Sequence, residues 1–146
     1  MLYVMNTNIP IVTKREKNDN IPFYNEAAEI YKSLFKRTFG YDTQLENYIQ
    51  IYANFKSLLK DGFTRDQIIA LIFCHYEWRG LDGKNENIYN NLKSRGFPLS
   101  WINSRCYEYQ NYIERTITPA KWNDPEYMQK LVDRWSLKLL EEIDDM

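Results

Sequence analysis

Apolar side chains recur along most of this chain at intervals of three and four residues, and one stretch departs from that rhythm. Between Asp66 and Trp78, the run Ile68-Ile69-Ala70-Leu71-Ile72-Phe73-Cys74 contains no polar residue. On a helix those side chains cover nearly the full circumference, and a helix apolar all round is buried on all sides. The run predicts the central helix of one core.

The flanking segments predict amphipathic helices around it. Ala27, Ile30, Tyr31, Leu34 and Phe35 make one stripe, on a helix expected to begin near Asn25, just after Pro22, and to end at Gly40. Leu45, Tyr48, Ile49, Tyr52, Phe55 and Leu59 make the next, starting at Asp42 or Thr43 and stopping at Asp61-Gly62. Thr64, with Gln67 three residues on, has the form of a capping box for the central helix. That helix should end near Arg79-Gly80, and Gly80, Asp82 and Gly83 predict a loop. Asn85 or Asn87 caps a short fourth helix through Ile88, Tyr89, Leu92 and Lys93, closed by Gly96 and Pro98. Ser100 is the expected cap of a fifth, which buries Ile102, Cys106, Tyr109 and Ile113, keeps Trp101, Tyr107 and Tyr112 off that stripe, and is broken by Pro119. Asp124 and Pro125 mark the last helix, with Tyr127 or Met128, Leu131, Trp135 and Leu139 facing inward.

Residues 1–22 read differently. Leu2-Tyr3-Val4 and Ile9-Pro10-Ile11-Val12 are short β-prone runs, followed by the charged piece Lys14 to Asp19; neither run is long enough to form a sheet alone. The expectation is therefore an all-α chain. Residues 23–146 form a single compact bundle of about six helices around a central buried helix, and residues 1–22 are an extended N-terminal arm and linker.

Composition agrees. Of 146 residues, 44% are hydrophobic and 16% aromatic, enough for a sizeable core and against disorder of the whole chain. The 19 basic and 20 acidic residues nearly cancel, so net charge names no partner. Their distribution says more: residues 79–121 hold seven Lys/Arg against four Asp/Glu, and residues 122–146 hold three against seven. The middle is mildly basic and the tail acidic. No stretch approaches the ~18 apolar residues of a membrane span, and the first residues lack the pattern of a signal peptide. The expected setting is the cytoplasm, of a host cell if the protein is viral, with no membrane partner. Cys74 and Cys106 lie in apolar helical patterns and read as free buried thiols. Abundant Asn, Ile, Lys and Tyr follow from A/T-rich codons, which suit a phage or mobile element.

Candidate chemistry is sparse. His75 is the only histidine; its neighbour Cys74 projects about 100° away on a helix, whereas a zinc site needs three or four converging ligands. A Cys–His nucleophile pair would lack the same geometry. Asp61 with Asp66, or Asp82 with Glu86, lacks the further acidic residues of a magnesium site, and the five glycines are dispersed rather than gathered in a phosphate loop. No catalytic residue, metal ligand or cofactor is expected. From Tyr76 to Arg105, however, bases and aromatics interleave: Tyr76, Trp78, Arg79, Lys84, Lys93, Arg95, Phe97, Trp101, Arg105. Basic side chains neutralise phosphates, and exposed aromatics stack on unpaired bases for roughly 1–3 kcal/mol each. The competing reading has the rings covering the ends of the core while the bases are merely solvated. The candidate nucleic-acid contacts are Arg79, Lys84, Lys93, Arg95, Trp101 and Arg105, and the exposure of Trp78 and Trp101 decides between the two readings.

Several of these elements fall in a familiar order. Tyr31-x3-Phe35-x3-Phe39-Gly40, Leu58-Leu59-Lys60-Asp61-Gly62-Phe63-Thr64, Ile68-x3-Ile72, Glu77-Trp78-Arg79-Gly80 and Ile88-x3-Leu92 together resemble the helical C-terminal domains of phage DnaD-like replication proteins. The pattern departs after Leu92, where the next tryptophan is Trp101, beyond Gly96 and Pro98. The resemblance implies a helical bundle that takes part in binding DNA and a helicase or its loader. The sequence thus points to a non-enzymatic helical binding module engaging single-stranded nucleic acid or a replication complex. The alternative is a protein-only adaptor or inhibitor of a host or viral protein, acting through the arm and acidic tail. Its 12 tyrosines, a type enriched at interfaces, suit either, and the oligomeric state is left open.

Overall fold

The computed structural model describes residues 20–43 and 48–146, with backbone alone at 48 and 49. Seven helices occur among them: α1 Ile21–Phe39, α2 Tyr48–Lys60, α3 Arg65–Glu77, α4 Glu86–Ser94, α5 Ser100–Ile117, α6 Pro119–Trp122 and α7 Pro125–Asp144. The described residues contain no strand, and their fold is all-α as expected. The expected arm falls almost wholly on residues 1–19, outside the described part.

The central helix starts as its capping box dictates. The Gln67 N–H donates to Thr64 Oγ1 at 3.1 Å and the Thr64 N–H donates to Gln67 Oε1 at 3.0 Å, so amides without intrahelical partners are satisfied from both directions. Every residue of α3 from Gln67 to Tyr76 is buried. Gln67, polar at this depth, also donates from Nε2 to the Trp122 carbonyl at 2.9 Å. Helices α1, α2, α5 and α7 all pack on α3. Each fully buried Leu, Ile or Phe there contributes roughly 1.5–3 kcal/mol. No described helix is long and apolar enough to cross a membrane.

The structure corrects several boundaries. Helix α1 begins at Ile21, not Asn25, and takes Pro22 into its first turn. Proline costs nothing there, because its missing N–H has no intrahelical acceptor anyway, and the extra turn buries Phe23 and Tyr24. Gly40 ends the helix with φ 82° and donates to the Lys36 carbonyl. On α2 the buried side chains are Ile51, Tyr52, Phe55 and Leu58, with Leu59 only half-buried, so the inward stripe is rotated slightly from the predicted one. Asp42 and Thr43, where this helix is expected to start, are not helical, and Leu45, the first residue of the expected stripe, lies outside the described residues. Helix α3 ends at Glu77, and the backbone turns extended at Trp78. Ser100 is the first residue of α5 rather than its cap. Leu99 occupies the cap with helical dihedrals, and the Trp101 and Ile102 amides bond the carbonyls of Pro98 and Leu99. A tight turn there does what a serine hydroxyl was expected to do. Pro119 ends α5 but also opens the unforeseen α6, where Thr118 Oγ1 accepts from the Lys121 N–H at 3.2 Å and Trp122 is buried. Helix α7 starts as predicted: Asp124 accepts from the Glu126 and Tyr127 amides. Met128, Leu131, Val132 and Leu139 are buried, while Tyr127 and Trp135 are half-buried.

Candidate nucleic-acid interface

Helix α4 has one buried residue, Leu92, with Ile88 and Tyr89 packed partly against the core, and a tight turn follows it. In that turn Gly96 takes φ 74° and Phe97 takes φ 50°. A bulky residue in the left-handed region costs roughly 1–2 kcal/mol, and Phe97 offsets this by complete burial. Its ring stacks on Tyr76 at 4.5 Å between centroids. Its N–H bonds the Leu92 carbonyl at 2.9 Å, and its carbonyl accepts from the Tyr31 hydroxyl at 2.6 Å. A β-carbon on Gly96 would meet only Phe35, at 3.9 Å, so the dihedral rather than crowding favours glycine. This anchored turn sets Arg95 on one side and the start of α5 on the other.

The result is a three-residue cluster. The Arg95 guanidinium carbon lies over the Trp101 ring at 5.5 Å from its centroid, and that of Arg105 at 5.3 Å. Trp101 and Arg105 are one helical turn apart, so they share a face of α5; Arg95 reaches them across the turn. Arg95 Nε also donates to Asn91 Oδ1 at 3.1 Å. Neither arginine has a carboxylate partner among the described residues. From Asn87 to Tyr107 the chain carries Lys93, Arg95 and Arg105 and no Asp or Glu. Lys93 is exposed on α4.

The other expected contacts stand apart. Arg79 closes the loop after α3: Nε donates to Glu86 Oε2 at 2.6 Å, Nη1 donates to the Glu77 carbonyl at 3.0 Å, and the guanidinium lies over Tyr89 at 4.0 Å. Lys84 is exposed in that loop, its backbone N–H bonded to Asp82 Oδ1 at 3.0 Å. The two tryptophans divide. Trp78 is core, 2% exposed, set edge-on to Tyr109 and Tyr112. Trp101 is half-buried. Phe97, the aromatic between them, is wholly buried. Of the six expected contacts, the structure therefore brings Arg95, Trp101 and Arg105 together. It leaves Lys93 on the adjoining helix, Lys84 in the loop, and Arg79 engaged with carboxylates.

Beneath this corner lies His75, with no exposed surface. Its Nδ1 shares a 2.7 Å hydrogen bond with the Tyr109 hydroxyl, and Nε2 meets no partner among the described residues. Burial pushes its pKa down to about 4; backbone groups of Phe97 and Pro98 partly oppose the shift, and the Arg105 charge adds to it. Burial likewise raises the Cys74 thiol, with a smaller push from Glu77. Both cysteines are free and buried. Among the described residues no three His, Cys, Asp or Glu side chains are grouped so as to hold a metal ion.

A concavity of about 410 Å³ opens elsewhere, between α3, α5 and α7. Phe73, Cys74, Ile113, Ile117 and Trp135 are among the residues that line it. Arg37 bridges its rim, with Nη2 2.6 Å from Glu77 and Nη1 3.3 Å from Glu142. It contains none of the six expected contacts. Trp135, expected to face inward, is tilted against Phe73 at its wall.

Compared with known proteins, the chain matches no family model, no curated protein and no solved structure.

Proposed function

We propose that this chain is a non-enzymatic helical binding module, of the kind carried by phages or mobile elements, that engages nucleic acid or a complex that processes it. One observation carries the reading: Arg95 and Arg105 meet at a half-buried tryptophan with no carboxylate to neutralise them among the described residues. Arg37 and Arg79, by contrast, are each paired with two carboxylates. An arginine already held by a carboxylate has little left to offer a phosphate, whereas an unpaired one forms charge-assisted, often bidentate bonds to it. The N-terminal end of α5, where the helix dipole favours anions, lies at the same corner. Lys93 extends the positive surface along α4. The resemblance to DnaD-like domains agrees with this partner class, and the A/T-rich composition with a phage or mobile-element source.

The test is binding of a labelled single-stranded oligonucleotide, followed by fluorescence anisotropy between 50 and 200 mM salt. Affinity should fall steeply with salt, with a log–log slope of about −0.7 per phosphate neutralised. The triple variant K93E/R95E/R105E should lose binding while its unfolding midpoint stays close to that of the parent. Absence of binding at the lowest salt would sink the proposal.

The adaptor reading has one observation of its own. Leu137 and Leu140 are 62% and 57% exposed on α7, within the acidic tail. Capture of one specific protein that is lost in L137E/L140E but kept in K93E/R95E/R105E would favour it.

A further inference from the structure

Resting on that reading, we propose that Trp101 is a platform for one unpaired base, and that Arg95 and Arg105 leave its ring for the flanking phosphates when a strand binds. The molecule holds two sets of arginine over an aromatic ring at α4 and the start of α5, and they differ in what else grips the guanidinium. Over Tyr89, Arg79 is fixed by Glu86 at 2.6 Å and by the Glu77 carbonyl at 3.0 Å. It cannot leave without stranding both. Over Trp101, Arg105 has no further hydrogen bond or carboxylate among the described residues, and Arg95 has only the neutral Asn91 amide oxygen. A guanidinium resting on a ring at the surface, itself only half-buried, is held modestly, and its bond to a phosphate is the stronger of the two. The ring it uncovers is then open to a base, whose stacking tolerates any sequence because every base has a π-face.

Trp101 is also suited among the four tryptophans. Trp78 and Trp122 are each 2% exposed, and Trp135 sits against Phe73 at the separate concavity. The Trp101 indole rests partly on the core, which fixes its plane, and its remaining neighbours on the solvent side include two movable cations. Bases inside a duplex already stack on one another and present no face to it. The ligand class is thus a nucleic acid with unpaired bases, read as one stacked base between two phosphates.

The experiment compares, on the full unaltered chain and at one salt concentration, an oligodeoxyadenylate, an abasic oligomer of equal length, and the adenylate in duplex form. The adenylate should bind about tenfold or more tighter than the abasic strand. Duplex binding should be unchanged by Trp101→Ala, because a paired base has no open face to offer the ring. Trp101→Ala should bring the adenylate down to the abasic level with the salt slope unchanged, and Trp101→Phe should keep most of the gain. Equal, salt-dependent affinity for adenylate and abasic strands overturns the platform and leaves phosphate binding standing. No binding of any strand at low salt overturns both. Because the oligomer comparison needs no variant, it decides the matter even if Trp101→Ala fails to fold.

Discussion

The core around α3 and the corner between α4 and α5 treat polar groups in opposite ways. In the core, His75 is sealed from water and kept neutral, sharing one hydrogen bond with Tyr109 and leaving Nε2 without a partner among the described residues. In the corner, Arg95 and Arg105 rest on a half-buried indole with no carboxylate partner among the described residues. Stability is concentrated in the first region and chemical potential for a partner in the second. The two nonetheless touch, since the Arg105 charge is felt at the His75 ring.

The largest effect should come from the core. Leu71 has no exposed surface, and Leu71→Ala should cost about 2–5 kcal/mol in urea unfolding through lost burial and the cavity left behind. Arg95→Ala should stay within about 0.5 kcal/mol. Similar losses in the two variants would erase the distinction between the regions.

Acid tests the same contrast. His75 has its folded pKa lowered from 6.5 to about 4, so the unfolded chain takes up the proton first. Its contribution is complete above pH 6.5, declines as pH falls from 6.5 towards 4, and is flat below that. The full loss is roughly 3 kcal/mol. With a single histidine in the chain, a urea midpoint that falls between pH 6.5 and 5 reports this group before most carboxylates titrate. A flat profile in that window would mean that His75 is protonated inside the fold.

The smallest effect concerns charge at the other end of the bundle. Burial raises the Glu26 and Asp66 carboxyls, and the Asp133 charge raises both further. Raised carboxyls favour the fold at low pH and lose that contribution as pH rises through their folded values. Asp133→Asn should therefore raise the melting temperature at pH 7 by about 1–2 °C, a surface-charge effect of a few tenths of a kcal/mol. A drop would show that Asp133 makes a favourable contact instead.

Much of the scaffold was legible in the chain because short-range chemistry decided it. Ile68–Cys74 had to be buried on every side. Thr64 with Gln67, and Asp124 with Pro125, carry their capping bonds within three residues. What was not legible depended on partners far along the chain or on proline's double use. In the sequence Pro22 stands just outside a predicted helix and Pro119 at a helix end, yet each lies in the first turn of a helix, where an N–H has no acceptor. Trp78 and Trp101 look alike in sequence. The difference arises because the backbone turns extended after Glu77 and swings Trp78 onto Tyr109 and Tyr112, over thirty positions on. Arg79 looks available in the sequence because Glu86 meets it only after the loop reverses. The pairing of Arg95 with Trp101 rests on the left-handed backbone at Phe97, which a bulky residue rarely adopts and no local pattern announces.

One brace of that turn is a phenol from far along the chain. Because Tyr31 grips the carbonyl of Phe97 from the interior, the indole and its two cations ride on a footing braced by α1, and little backbone has to be ordered when a strand arrives. Tyr31→Phe would leave the outer surface chemically unaltered and release that brace. Weaker capture of a strand by such a protein, with its dependence on salt preserved, would trace affinity to a hydroxyl that never meets the ligand.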